Sequence, residues 1–211
     1  LGAATADDPA RVAENRARFG AWLPSGPGWL QQVHGARVVR REVLSAQDNE
    51  ADAAWCATPG VACTILTADC LPVLLCDADA QVVAAAHAGW RGLLAGVLEN
   101  TMAAMPVEPR SLMAWIGPGI GVGAYEVGTA FREQFLAQLP WLKEGFETID
   151  GKVHADLAVI ARALLTRAGL KAVHGGNFCT YTDSQRFYSH RRNPDGGRMA
   201  STIWLQGKTA N

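Results

Sequence analysis

Hydrophobic and polar positions recur at helical spacing over some stretches of the 211-residue chain and alternate over others. Residues 8–19 (DPARVAENRARF) predict a helix, with Asp8 as N-cap and Pro9 in the first turn, where its missing N–H is not needed. The proline-rich LPSGPG breaks it. Residues 29–43 (WLQQVHGARVVRREV) alternate about Gly35 and predict two strands, while 61–67, 72–76 and 81–87 are apolar runs of strand length. A helical pattern runs from Gly92 to Met105, and a strand over 112–117 leads into a glycine loop. Two helices follow near 129–139 and 155–168, then a loop containing NPDGG, and MASTIWL predicts a closing strand. Strands and helices are interspersed without strict alternation, so the pattern predicts an α+β fold in one domain over residues 1–211.

The run TADCLPVLLCDADAQVVAAAHAGWR (67–91) carries the chemistry. Only DADA separates the strands at 72–76 and 81–87, which is turn composition and too short for a crossover, so the two should form an antiparallel hairpin. A turn centred between Ala78 and Asp79 pairs Cys70 directly with His87, with Cβ atoms about 4.5–5.5 Å apart on one face. A one-residue change of loop length would separate them. Taken singly, Cys70 reads as a small buried hydrophobe and His87 as an ordinary strand-end histidine.

His34 changes that balance. It interrupts WLQQV and is followed by Gly35, the placement of a polar side chain presented at a strand end. Its plainer reading is a turn histidine. If His34 converges with the hairpin, His34, Cys70 and His87 form a His2Cys set with an open fourth position, the ligand count of a catalytic zinc site, although thiolate and imidazole also suit copper. The spacings match no local metal motif.

Composition narrows the partners. Nineteen Lys+Arg against twenty Asp+Glu, with no basic run longer than Arg191-Arg192, give no nucleic-acid footprint and favour a small-molecule substrate. Apolar stretches are broken well short of the ~20 residues that a membrane helix requires. Five cysteines without a C-x-x-C pair and no basic-then-apolar leader predict a reduced, cytoplasmic protein of mean hydropathy +0.03. The first residue is leucine, which leads to the expectation that an N-terminal segment is missing.

In order along the chain, QVHG (32–35), TADCLPVLL (67–75), HAGWRGL (87–93), IGPGIG with YEVG (116–128) and the tail CT…F…RR…GRMAS (179–201) resemble one family. This is the purine nucleoside phosphorylase family once described as laccase-domain or multicopper polyphenol oxidoreductase proteins, also called the peptidoglycan editing factor family. The resemblance implies a four-layer α/β/β/α sandwich with mixed sheets and a zinc site on His34, Cys70 and His87. It further implies phosphorolysis of purine nucleosides (adenosine, inosine, guanosine, methylthioadenosine) together with adenosine deamination. Two departures stand out: members carry an upstream Arg/Gly-rich segment, and many have cysteines where Gly123 and Ala124 stand here.

Arg91, at the start of the helix after His87, is the phosphate candidate, and a solvated first-turn arginine is the plainer reading. Asp69, next to Cys70, is the candidate proton shuttle or ligand-orienting group unless it points to the opposite face. Tyr125 is a base-stacking candidate. An ion at the triad would polarise the purine or activate water toward C6, but the H-x-E with P-C-x-x-C pattern of zinc nucleobase deaminases is absent.

Three rival readings remain. A multicopper oxidase is poorly served by five histidines (34, 87, 154, 174, 190) with no H-x-H pair. A Cys-His hydrolase or amidase acting on a peptidoglycan precursor would use Cys70 as nucleophile and His87 as base, and a dyad has no evident need of His34. A non-catalytic metal-binding protein would hold the ion without turnover. GIGVGA (119–124) fits a dinucleotide fingerprint only formally, lacking a following strand that ends in an acid. Phe187, Tyr188, Arg191, Arg192 and Arg198 cluster around the NPDG turn and receive no catalytic role. Cys56, Cys63 and Cys76 read as core, and His154, at a helix start, and His174 as structural.

Overall fold

The structure, a computed structural model, describes residues 1–3 and 5–207. The first helix, α1 (Pro9–Gly20), begins as its sequence requires: Asp8 caps it by accepting from the amides of Ala10 at 2.7 Å and Arg11 at 3.4 Å. There follow β1 (Val38–Arg40), β2 (Ala53–Cys56), β3 (Cys63–Thr67), β4 (Leu71–Asp77), β5 (Val83–Ala88), α2 (Trp90–Leu94) and α3 (Val97–Ala104). The second half contains β6 (Leu112–Ile116), α4 (Thr129–Gln138), β7 (Phe146–Ile149), β8 (Lys152–Ala155), α5 (Leu157–Arg167), β9 (Ala172–Gly175) and β10 (Met199–Ile203).

Six strands form a mixed sheet in the order β1-β2-β5-β4-β6-β9, antiparallel in the middle and parallel at both edges. β5 is buried along its whole length because both faces are covered. Ala84, Ala86 and Ala88 face α2, α3 and α5, whose apolar positions Leu93, Val97, Leu98, Ile160 and Leu164 complete the larger core. Small alanines let the helices approach closely. Val83 and Ala85 face the antiparallel ribbon β10–β3, which contributes Cys63 and Ile65 to a second core. The fold is α+β, with helices, the mixed sheet and the ribbon in successive layers.

The helix expected over 92–105 is two helices, because Gly96 adopts φ 85° and separates α2 from α3. The strand expected before Gly35 is irregular chain: His34 has φ 62°, and the amides of residues 33–35 bind a carboxylate instead of a ladder. His154 lies in β8 rather than at a helix start, and Asp156 caps α5 by accepting from the Val159 amide. The central hairpin also turns later than expected. The Asp77 carboxylate accepts the amides of Gln81 and Val82, holding residues 78–81 in the turn, so Pro72 rather than Cys70 pairs with His87.

Candidate metal centre

That slip is of two residues, so the face each side chain occupies is preserved. Cys70 stays on the face of His87 as its diagonal neighbour, and one step beyond the last pair, Leu71 with Ala88, it comes opposite Gly89. A Cβ built on Gly89 would stand 2.7 Å from Cys70 Sγ and 3.3 Å from His34 Cδ2. The glycine leaves the volume that the thiol and His34 share. The ligand-capable atoms of His34, Cys70 and His87 lie within 4.8 Å of one another, and the two imidazole rings meet edge to face with centroids 4.8 Å apart. His34 is exposed and His87 buried, so the group opens to solvent on one side.

Asp52, at the head of β2, organises the group and was not picked out from the sequence. Its fully buried carboxylate accepts the amides of Val33, His34 and Gly35 and the ring of His87, whose Nδ1 lies 2.7 Å from Oδ1. A carboxylate only accepts, so Nδ1 carries the proton and Nε2 is left for an ion. The His87 amide also donates to the Asp52 carbonyl at 2.7 Å. Gln32 ties the same loop to β3, its side chain bonding both backbone groups of Leu66 at 2.8 Å.

The electrostatics suit a cation. Burial pushes the Cys70 thiol up, but hydrogen bonds and charge from His34 and His87 outweigh it and bring the pKa down to about 6. Burial pushes His87 down, while bonds to Asp52 and Cys70 raise it to about 9. Asp52 is likewise lowered: its burial, which would raise it, is outweighed by the bonds from His87 and Gly35. A thiolate, the Nε2 of His87, which releases its proton when an ion binds, and a solvent-facing His34 fit the donor set of a three-ligand site with an open position.

In protein stripped of metal, alkylation of Cys70 by iodoacetamide should therefore rise through pH about 6, well below the ~8.5 of a free thiol. Added zinc should suppress it. Mass spectrometry of the labelled peptide against pH is the check, and a titration near 8.5 would contradict the assigned environment.

The other candidates surround this group. The carboxylate of Asp69, which has φ 88°, accepts the Thr180 hydroxyl and the Arg191 amide, each at 2.6 Å, and so pins the 177–198 loop beside Cys70. Asp69 is thus nearly buried and turned toward the loop. Tyr125 is half-buried, with the Arg191 guanidinium 5.3 Å from its ring centroid. Burial raises the Tyr125 hydroxyl to about 12, and the charges of Cys70 and Asp69 add to this while those of Arg191 and Arg91 oppose it. Arg91 is exposed, its guanidinium 4.4 Å from the Trp90 ring centroid. Arg191 thus joins the neighbourhood of the site, a placement that a basic pair in a loop did not announce.

A family model described as multi-copper polyphenol oxidoreductase laccase matches residues 1–206. A Pseudomonas aeruginosa protein named purine nucleoside phosphorylase is 50% identical over 208 residues, covering 98% of this chain and 85% of the relative. An Escherichia coli protein, named purine nucleoside phosphorylase YfiH, is 46% identical, covering 97% and 85%. The crystal structure of the Neisseria meningitidis protein NMB0706 superposes with a TM-score of 0.93 at 45% identity, over 98% of this chain and 86% of that one.

Proposed function

The chain belongs to the family described as multi-copper polyphenol oxidoreductase laccase, and from that membership we propose that it is a zinc-dependent purine nucleoside phosphorylase that also deaminates adenosine. The observation that carries this reading is the convergence of the ligand atoms of His34, Cys70 and His87 within 4.8 Å, with the Cys70 thiol held at low pKa. Relatives named purine nucleoside phosphorylase support its phosphorolytic part. The family description speaks of several coppers, whereas one His2Cys group occurs among the described residues. Zinc is the ion we assign, with copper as its chemical competitor at such donors.

In phosphorolysis a phosphate oxygen bonds to C1′ of the ribose as the bond from C1′ to the purine nitrogen breaks, giving free base and ribose 1-phosphate. The departing base takes the electron pair and then a proton. Bound at the triad, zinc supplies a Lewis acid that favours charge on the purine. Arg91 and Arg191 hold the phosphate dianion, Arg91 from the first turn of α2 just after His87 and Arg191 from beside the Tyr125 ring. Tyr125 offers its ring to the substrate. Asp69 acts as a positioning residue through its bonds to Thr180 and Arg191, because both carboxylate oxygens are already engaged. Asp52 holds the His87 tautomer. In deamination, water replaces the C6 amino group and ammonia leaves.

The test is chromatography of free base and ammonia from adenosine and inosine, with and without phosphate, using the zinc-loaded protein beside Cys70→Ala. Phosphate-dependent base release that falls at least a thousandfold in the variant is expected. One observation favours a second reading: Asp52, His87 and Cys70 form an acid–imidazole–thiol series, as in a cysteine amidase of peptidoglycan precursors. Turnover of amides that survives chelation would favour that series. Metal bound without any turnover would leave a metal-binding protein.

For location, the five cysteines are free and no helix among the described residues is long and apolar enough to cross a membrane. We assign the chain to the cytoplasm and to small-molecule partners.

A further inference from the structure

A recess of about 240 Å³ opens on the face of β4 that continues from Cys70, lined by Thr67, Pro72, Pro118, Arg186, Phe187 and Ser201 among others. Its position follows from the strands. Thr67 ends β3 three residues before Cys70, and Pro72 shares the face of Cys70 and pairs with His87. Thr67 and Ser201 lie on the ribbon face that also carries Ile65 into the core, so the recess continues the space between ribbon and sheet.

Thr67 is 2% exposed, and its hydroxyl has no hydrogen-bond partner among the described residues. A buried hydroxyl without a partner is unfavourable, and Thr67 belongs to the wall of a recess large enough to admit one. Its flat apolar surface comes from the rings of two prolines and Phe187. Phe187 is braced by Phe178 at 5.9 Å between centroids, with the Arg186 guanidinium 5.2 Å and 5.0 Å from the two rings. The one cation is paired with Asp183. Flat rings mixed with hydroxyl-bearing residues, and no spare positive charge, suit a planar heterocycle rather than phosphate.

We propose that this recess seats the purine base and that the Thr67 hydroxyl reads its edge, an inference that rests on the phosphorylase reading. A hydroxyl both donates and accepts, so Thr67 bonds the keto oxygen or ring nitrogen of one purine and the amino group of another. It is a specificity residue that admits amino- and keto-purines alike and excludes compounds that cannot fill the slot.

The test uses the zinc-loaded chain with adenine and hypoxanthine in equilibrium dialysis, alongside phosphorolysis of adenosine and inosine. Thr67→Val replaces the hydroxyl with a methyl of similar size, and Ser201→Leu fills the recess. Thr67→Val should weaken both bases and raise KM for both nucleosides roughly tenfold, with zinc content and kcat little changed. Ser201→Leu should abolish base binding. Phosphorolysis with unaltered KM in both variants would overturn the recess while leaving the reaction standing. Base binding that depends on Thr67 without phosphorolysis would retain the recess and sink the reaction. Failure of the unmodified chain to bind either base would overturn the proposal outright.

Discussion

Asp52→Asn should lower metal affinity ten- to a hundredfold and destabilise the fold by about 2–4 kcal/mol, although the side chain keeps its shape. The carboxylate receives four N–H groups, from Val33, His34, Gly35 and His87, in a fully buried position. An amide can accept at only one of its two ends. The other end then presents hydrogens to donors, so two of the four are left unpaired or repelled inside the protein. Losing the carboxylate also releases the His87 tautomer and the left-handed turn that presents His34. Zinc affinity by competition with a chromophoric chelator, and thermal unfolding with and without metal, give both readouts. A variant with full affinity and unchanged Tm would refute the role of Asp52 as organiser.

Much of the site was legible because face parity survives small errors of register. Expecting the turn one position early mispaired Cys70 with His87 yet kept both on one face, since the true slip is two residues. What moved the turn was Asp77, whose carboxylate binds two turn amides, a bond that composition alone does not reveal. Asp52 was missed for the opposite reason. A single acid in the run ADAAW looks like an accident of composition, whereas a charge that the fold buries must be paired. The β7–β8 hairpin carried a plain signal, Asp150-Gly151 between short alternating runs, and both turn residues have positive φ, 50° and 76°. The strand at 53–56 lies inside an alanine-rich run whose two covered faces leave no alternation to read.

Gly89→Ala should remove the bound metal while leaving the fold in place, which separates ligation from stability more cleanly than replacing a ligand. Gly89 caps α2 with φ −78° and ψ 167°, a conformation open to alanine, and it makes no side-chain cap bond that could be lost. The added methyl would stand 2.7 Å from Cys70 Sγ, inside contact distance. Cysteine has one side-chain torsion, so relief requires turning the sulfur to another rotamer, away from His34 and His87. The thiol then loses the hydrogen bonds that hold its pKa down, and its alkylation should shift back up toward ~8.5. Zinc content measured on the purified variant should fall from one equivalent to near zero, with thermal unfolding of the metal-free forms nearly coincident. Full zinc occupancy with undiminished affinity would mean that the sulfur is not a ligand where the structure places it, and would turn attention to the acid–imidazole–thiol series as a nucleophile instead.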